Sequence, residues 1–401
     1  MPHGGPALRP EGGPRRDGPL AEAERHDVVD VLRALALLGI LLVNVEFLAS
    51  TLDDGWARPE FGGTLDLVAR GAIVALVQLK AYLVFALLFG YGAAIMRQRA
   101  PDDRTFVRRW CRRMAALGVL GVLHAVFLFV GDILLSYAVL GMLLLPFRRA
   151  SNRRLLVAAL ATFAVGSLLV AMLAALLAVA DPDAAGGASE AARVYAEGSF
   201  GDVAAQRLEE LPGVLLVLVF VQWPGAFAMF LVGMAAARRG VLARPAEARP
   251  LLRRCVRIGL PVGLAGGLVA GLLAVAEPER SDGPTAALGL LVQSVTAPFL
   301  ALGYVAVVAL ASTRPGWRRV AGVLQPLGRM SLTGYLAESL ACSLIFTGYG
   351  LGHFGAVGPA GAVLVCLGVW LALVVLARLW FRRFRLGPAE WVLRAVTYRG
   401  A

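Results

Sequence analysis

Two residues in the first half of the chain have the types and spacing that proton transfer requires. His124 lies within an apolar segment and Asp132 follows it eight residues later. Histidine can take and return a proton near neutral pH, and a nearby carboxylate fixes its tautomer and raises its basicity. We predict that these two residues and Tyr137 form one site, in the external half of the membrane that the apolar segments would cross. A structural interhelical hydrogen bond is the simpler alternative for such a histidine.

Other polar residues also fall inside apolar segments. If such a segment crosses a membrane, a charged side chain near the bilayer centre costs about 2.5–3.5 kcal/mol on insertion scales. Asp30 and Arg33 are three residues apart and can pair on one helical face. Asn44 follows eleven residues after Arg33, at almost the same angle, so one face carries a polar stripe. The stripe is either functional or a packing feature.

Lys80 is the only lysine among 39 basic residues and lies within the second apolar segment. A compact ammonium that can lose its proton suits a buried functional position. The alternative is a structural ion pair, for which Glu338 is a candidate partner. Glu338 itself belongs to a helical face defined by steps of four, three and four residues. That face comprises Ser331, Tyr335, Glu338 and Cys342.

The elements that position these residues are predicted from composition. The chain has 401 residues, 58% of them hydrophobic and 16% charged, whereas soluble domains carry about 25% charge. Its net charge is +12. The arginines that carry this charge stand in short runs between apolar segments and not on one folded face, which argues against nucleic-acid binding. The four cysteines show neither CxxC spacing nor a pairing with histidine, so we expect no disulfide and no metal.

Several apolar segments reach about 18–25 residues, which is long enough to cross a membrane, and we predict ten spans in all. We place them at 28–50, 69–96, 114–131, 133–147, 154–180, 212–237, 251–276, 285–311, 330–350 and 356–381. The segments between them alternate without a break between rich and poor in arginine. When five arginines at the span ends are counted with the adjoining segment, six segments hold 32 basic residues and the other five hold 4. The arginines counted in this way are Arg154, Arg253, Arg254, Arg257 and Arg378. The positive-inside rule therefore predicts cytoplasmic termini and an all-α transmembrane bundle in a bacterial inner membrane.

The same pattern divides the chain into five parts. These are a disordered cytoplasmic tail (1–26), a five-span N-terminal part (27–180), an external loop (181–211), a five-span C-terminal part (212–383) and a cytoplasmic tail (384–401). The last tail begins with proline and an acid and carries arginine further on, which is typical of a short interfacial helix.

Several of these segments also resemble a known family. They are DVLRALALLGI with Val43-Asn44, the lysine before LLFGYG, RRMAALGVLGVLH, GDILLSYA, GRMSLTGYLAES and GPAEWVLRAVTYRG. They look like the YeiB-like family, whose C-terminal part is the domain of unknown function 418. The resemblance covers nearly the whole chain in the same order.

The N-terminal half of that family is similar to transmembrane acyltransferases of the heparan-alpha-glucosaminide N-acetyltransferase group. This resemblance implies acyl-CoA as co-substrate and an envelope sugar or lipid as acceptor. It makes His124 the candidate base or transient acyl carrier, oriented by Asp132, with Asn44 or Lys80 stabilising the oxyanion. The candidate CoA-binding residues are Arg33, Arg97, Arg108, Arg109 and Arg112. Asp30, Tyr137, Ser331, Tyr335 and Glu338 are candidates for a substrate-facing or helix-packing polar face.

Two other classes of function fit the sequence. Intramembrane ionisable residues also mark proton or solute pathways, so a small-solute or proton-coupled transporter is the main alternative. A non-catalytic partner in envelope assembly is the third. A cavity that joins His124 to an arginine-lined cytoplasmic groove would favour acyl transfer.

Overall fold

The computed structural model describes residues 27–51, 56, 59–179, 188–277 and 283–399. Within these ranges the chain forms fifteen α-helices and no β-strand. The helices are α1 (Asp27–Ala49), α2 (Thr64–Leu76), α3 (Ala81–Arg99), α4 (Asp103–Phe127), α5 (Leu134–Leu143), α6 (Asn152–Val179), α7 (Ala188–Glu197), α8 (Phe200–Val221), α9 (Trp223–Arg238), α10 (Arg249–Ala276), α11 (Gly283–Ala311), α12 (Trp317–Arg329), α13 (Ser331–Phe346), α14 (Pro359–Trp380) and α15 (Pro388–Thr397). The predicted disordered tail 1–26 lies outside the described residues, as does part of the predicted external loop.

The predicted all-helical transmembrane class is confirmed. Among the described residues, seven helical segments are long and apolar enough to cross a membrane, or eight if α8 and α9 count as one bent span. The two remaining predicted spans correspond to α5 and α13, which have 10 and 16 residues. Both are shorter than the ~20 residues of a full crossing. The span number of ten and the orientation therefore stay predictions.

The second predicted span is interrupted, which the sequence did not indicate because Val77–Lys80 contains neither glycine nor proline. α2 ends at Leu76, and Leu79 takes a left-handed conformation with φ of 60°. Side chains satisfy two carbonyl groups at the break: Lys80 Nζ donates to Val74 O (2.8 Å) and Tyr304 Oη donates to Leu76 O (2.9 Å). A helix that breaks inside a bundle needs such donors.

The sixth predicted span is also broken, for a reason that its sequence contains. α8 and α9 meet at Gln222 with a bend of 53°. Pro224 lies in the first turn of α9, where its ring prevents the helix from continuing unbroken from α8.

The two helices that follow these breaks, α3 and α9, pack against each other without intervening side chains. A Cβ atom on Gly90 would lie 2.0 Å from Phe230 O, and one on Gly233 would lie 2.0 Å from Leu87 O. Both positions therefore require glycine. This contact forms part of the apolar core against which the candidate site is built.

The predicted C-terminal helix is present as α15, with Gly387 at its N-cap and Pro388 in its first turn. Its Glu390 side chain accepts hydrogen bonds from the first turn of α13. The donors are Leu332 N (2.7 Å), Thr333 N (3.2 Å) and Thr333 Oγ1 (2.6 Å). The acid thus caps a neighbouring helix and ties the end of the chain to the bundle.

Candidate functional site

The α4–α5 hairpin positions the predicted His124–Asp132 pair. Asp102 caps the N-terminus of α4, and its carboxylate accepts from Thr105 N (2.8 Å) and Thr105 Oγ1 (2.7 Å). These two bonds hold the pKa of Asp102 below its usual value. His124 lies in the last turn of α4, and its Nδ1 is 2.8 Å from Asp132 Oδ1. The other oxygen of Asp132 accepts from Leu135 N (2.6 Å) in the first turn of α5. One carboxylate therefore both orients the imidazole and caps α5.

Gly121 makes this geometry possible. A Cβ atom at this position would lie 2.4 Å from Leu135 N and 2.8 Å from Asp132 Oδ2. Only glycine lets α4 approach the start of α5 this closely, because the nearest obstacle is backbone and cannot rotate away. The sequence offered no sign that this glycine, among 46, was required.

Tyr335 covers the imidazole from α13. The two ring centroids are 4.7 Å apart at an angle of 35°. The Tyr335 hydroxyl accepts a hydrogen bond from Ile133 N (3.4 Å), next to Asp132. The His124 side chain is 0% exposed. Among the described residues, its Nδ1 meets Asp132 Oδ1 as a close ion-pair contact without hydrogen-bond geometry, and its Nε2 has no hydrogen-bond partner.

A cavity of about 370 Å³ lies on the other side of Tyr335. Its wall follows α4 from Phe106 to Leu117, a distance of roughly 16 Å at 1.5 Å per residue. The inner end is formed by Ile133, Leu134, Tyr137 and Tyr335. The cavity therefore ends against the residue that contacts His124.

Six guanidinium groups and two carboxylates line the cavity, so its wall is strongly positive. The arginines come from α1, α3, α4, α12 and α15: Arg33, Arg99, Arg109, Arg113, Arg329 and Arg394. The acids are Asp30, which pairs with Arg33 at 3.1 Å, and the α13 cap Glu390. This wall suits a ligand with several negative charges.

Packed aromatic rings form the apolar part of the wall. Phe89 stacks on Phe230 with centroids 4.7 Å apart and meets Trp110 and Tyr137 edge-on at 5.7 and 5.4 Å. Tyr137 is further fixed by its hydroxyl, which donates to Tyr82 O (2.8 Å). These contacts hold the walls of the inner cavity in place.

The structure brings six of the predicted site residues into the cavity wall. They are Asp30, Arg33, Arg109, Tyr137, Ser331 and Tyr335. Four further arginines line the cavity but were missed, because periodicity and charge counts do not show which arginines face a common cavity. They are Arg99, Arg113, Arg329 and Arg394.

The other predicted arginines lie outside the wall. Arg97 pairs with Asp103 at 3.1 Å, Arg112 donates to Arg399 O at 2.5 Å, and Arg108 is exposed. None of these three arginines lines the cavity.

Asn44 and Lys80 do not join the His124 site. Asn44 is half-buried on α1 and lies outside the cavity wall. Lys80 is buried at the α2–α3 break, where it also donates to Gln293 Oε1 (2.9 Å). The suggested ion pair between Lys80 and Glu338 is therefore wrong. Glu338 is buried, and neither carboxylate oxygen has a hydrogen-bond partner among the described residues.

The long apolar helices, with these few polar groups buried between them, define a multi-pass α-helical membrane protein. A family model described as a protein of unknown function (DUF418) matches residues 236–400. The uncharacterized protein YxaH of Bacillus subtilis (strain 168) is 34% identical over 413 residues, which cover 95% of this chain and 96% of that protein. The uncharacterized protein YeiB of Escherichia coli (strain K12) is 30% identical over 398 residues, covering 94% and 97%. The chain therefore belongs to the YeiB-like family.

Proposed function

We propose that this protein is an acyltransferase of the bacterial cytoplasmic membrane. It would take an acyl group from cytosolic acyl-CoA and transfer it to a hydroxyl of an envelope sugar or lipid. One observation carries the proposal: an arginine-lined cavity ends at Tyr335, whose ring lies against the buried His124–Asp132 pair. The resemblance to transmembrane acyltransferases supports the same reaction.

The cavity wall accounts for recognition of the donor. Arginine side chains bind phosphate groups through paired N–H donors, and six of them line this cavity. The positive-inside rule explains arginines at the cytoplasmic surface, but it does not require them to converge on one cavity from five helices. The wall along α4 is roughly 16 Å long. The extended arm of acyl-CoA that ends in the thioester would lie along it, between the arginines and Tyr335.

The His124–Asp132 pair supplies the base. Because Asp132 Oδ1 lies 2.8 Å from Nδ1, we assign the ring hydrogen to Nδ1, which leaves the lone pair of Nε2 to accept a proton. His124 would remove the hydroxyl proton of the acceptor and deliver it to the departing sulfur. The Tyr335 ring lies against the imidazole and also lines the cavity, so the acceptor would reach Nε2 past the edge of that ring.

The test is turnover of radiolabelled acetyl-CoA by the purified protein in detergent or liposomes. We expect release of CoA from the native protein and loss of at least 100-fold in His124→Ala. The matched control is His353→Ala, since His353 is exposed and distant in sequence. Equal rates for native protein and His124→Ala would contradict the assigned base, and no turnover with any acyl-CoA would refute the proposal.

A second candidate function, transport of a small solute, is favoured by a different observation. The breaks before α3 and α9 both reach a water-sized cavity of about 20 Å³, which Leu79, Val221 and Gly225 help to line. Paired broken helices are typical of transporter binding sites. Proton-coupled solute uptake into liposomes, abolished by Lys80→Met and accompanied by no acyl-CoA turnover, would select this function.

A further inference from the structure

Acyl transfer needs a hydrogen-bond donor where negative charge develops on the carbonyl oxygen. The sequence suggested Asn44 or Lys80 for this task, but neither lines the cavity. At the inner end, Tyr137 and Tyr335 are the side chains with a hydroxyl donor among the residues that line it. One of these two tyrosines is therefore the place to look for the oxyanion donor.

The two hydroxyls differ in what they already bind. Tyr137 donates its hydrogen to Tyr82 O at 2.8 Å. Tyr335 instead accepts from Ile133 N at 3.4 Å, and its own hydrogen has no acceptor in the described part of the chain. Only Tyr335 can donate to a substrate without breaking an existing bond.

Tyr335 is also the cavity residue in ring contact with His124. A reacting carbonyl beside this tyrosine would therefore lie next to the base. The Ile133 N–H that reaches the hydroxyl oxygen polarises the phenol and strengthens its donation. The side chain thus has the position and the unused donor that an oxyanion site requires.

We infer that Tyr335 is a catalytic residue whose hydroxyl stabilises the oxyanion of acyl transfer, an inference that rests on the proposed function. The acceptor oxygen bonds to the thioester carbon while its proton moves to His124 Nε2, and the carbonyl electron pair moves to oxygen. Tyr335 donates a hydrogen bond to that oxygen. When the carbonyl re-forms, the carbon–sulfur bond breaks and the sulfur takes the proton from His124. The products are an ester and a thiol.

The experiment compares steady-state kinetics of the full-length native protein and Tyr335→Phe with acetyl-CoA. Phenylalanine keeps the ring against His124 and removes only the hydroxyl. We expect kcat to fall about 100-fold or more, the usual effect of losing one oxyanion donor, with KM and CoA affinity within twofold. Unchanged CoA affinity and melting temperature show that the variant retains the folded site.

Two further variants distinguish the loss of an oxyanion donor from the loss of any buried tyrosine hydroxyl. Tyr304→Phe makes the same chemical change at α11, outside the cavity, and should leave kcat within twofold. Tyr137→Phe should lose less than Tyr335→Phe, because its hydroxyl is already engaged. Normal kcat in Tyr335→Phe would overturn this inference alone. Absence of turnover in the native protein would overturn the proposed function and this inference together.

Discussion

Two buried polar centres, one at His124 and one at Lys80, have nearly the same burial but different surroundings. Lys80 donates to a carbonyl freed by the α2–α3 break and to the Gln293 amide. His124 binds one carboxylate and keeps a nitrogen without a partner in the described chain, beside a residue that lines a cavity. Burial alone therefore does not show whether an ionisable side chain has a structural or a catalytic role. On the proposed function, the unused hydrogen-bonding position beside a cavity residue sets His124 apart from Lys80.

The largest expected effect tests the His124 centre through Asp132→Asn. The amide can still accept from Leu135 N and cap α5, but it no longer presents a carboxylate to the imidazole. We expect acyl-CoA turnover to fall by at least 100-fold with little change in melting temperature. Kinetics and thermal unfolding of the same preparation measure both. A large fall in melting temperature with turnover preserved would make Asp132 a structural residue.

Lys80→Met should show the opposite pattern. It leaves Val74 O and Gln293 Oε1 without their donor, at a cost of about 1–3 kcal/mol in the free energy of unfolding. Turnover should stay within twofold. Adding Gln293→Leu should cost less than the sum of the single changes, because the two side chains share one interaction. Additive losses, or a catalytic defect in Lys80→Met, would remove the distinction between the two centres.

A smaller effect is expected from the cavity arginines. Changing Arg113 and Arg329 together to glutamine should weaken CoA binding about tenfold and reduce its dependence on salt, because both guanidinium groups line the cavity. The control is Arg108→Gln, which removes an exposed charge outside the wall. Equal weakening in the control would mean that general surface charge attracts CoA.

The sequence predicted the membrane class and the His124–Asp132 pair because both depend on short-range patterns. Helical segments follow from apolar length, and the pair lies on one hairpin with eight residues between its members. The pairing of Asp30 with Arg33 was predicted for the same reason, and it is confirmed at 3.1 Å.

The remaining features depend on which helices become neighbours. Lys80 meets Gln293 across 213 residues of sequence, and Tyr335 reaches Ile133 across 202. Helical periodicity assigns such residues to a face, but it does not say which helix that face meets. The break at Leu79 was equally hidden, since no local glycine or proline marks it and one of the donors that satisfy its carbonyl groups, Tyr304, lies on the distant helix α11.

The cavity wall runs along the chain from Val29 on α1 to Tyr398, just after α15. Tyr398 places its ring 5.1 Å from the Arg109 guanidinium, and Glu390 secures α15 on α13. During synthesis these residues emerge from the ribosome after the helices that precede them in the bundle. The wall is therefore completed only once α15 has been synthesised. A chain that stops before Gly387 would keep its long apolar helices yet lack one side of the arginine-lined cavity.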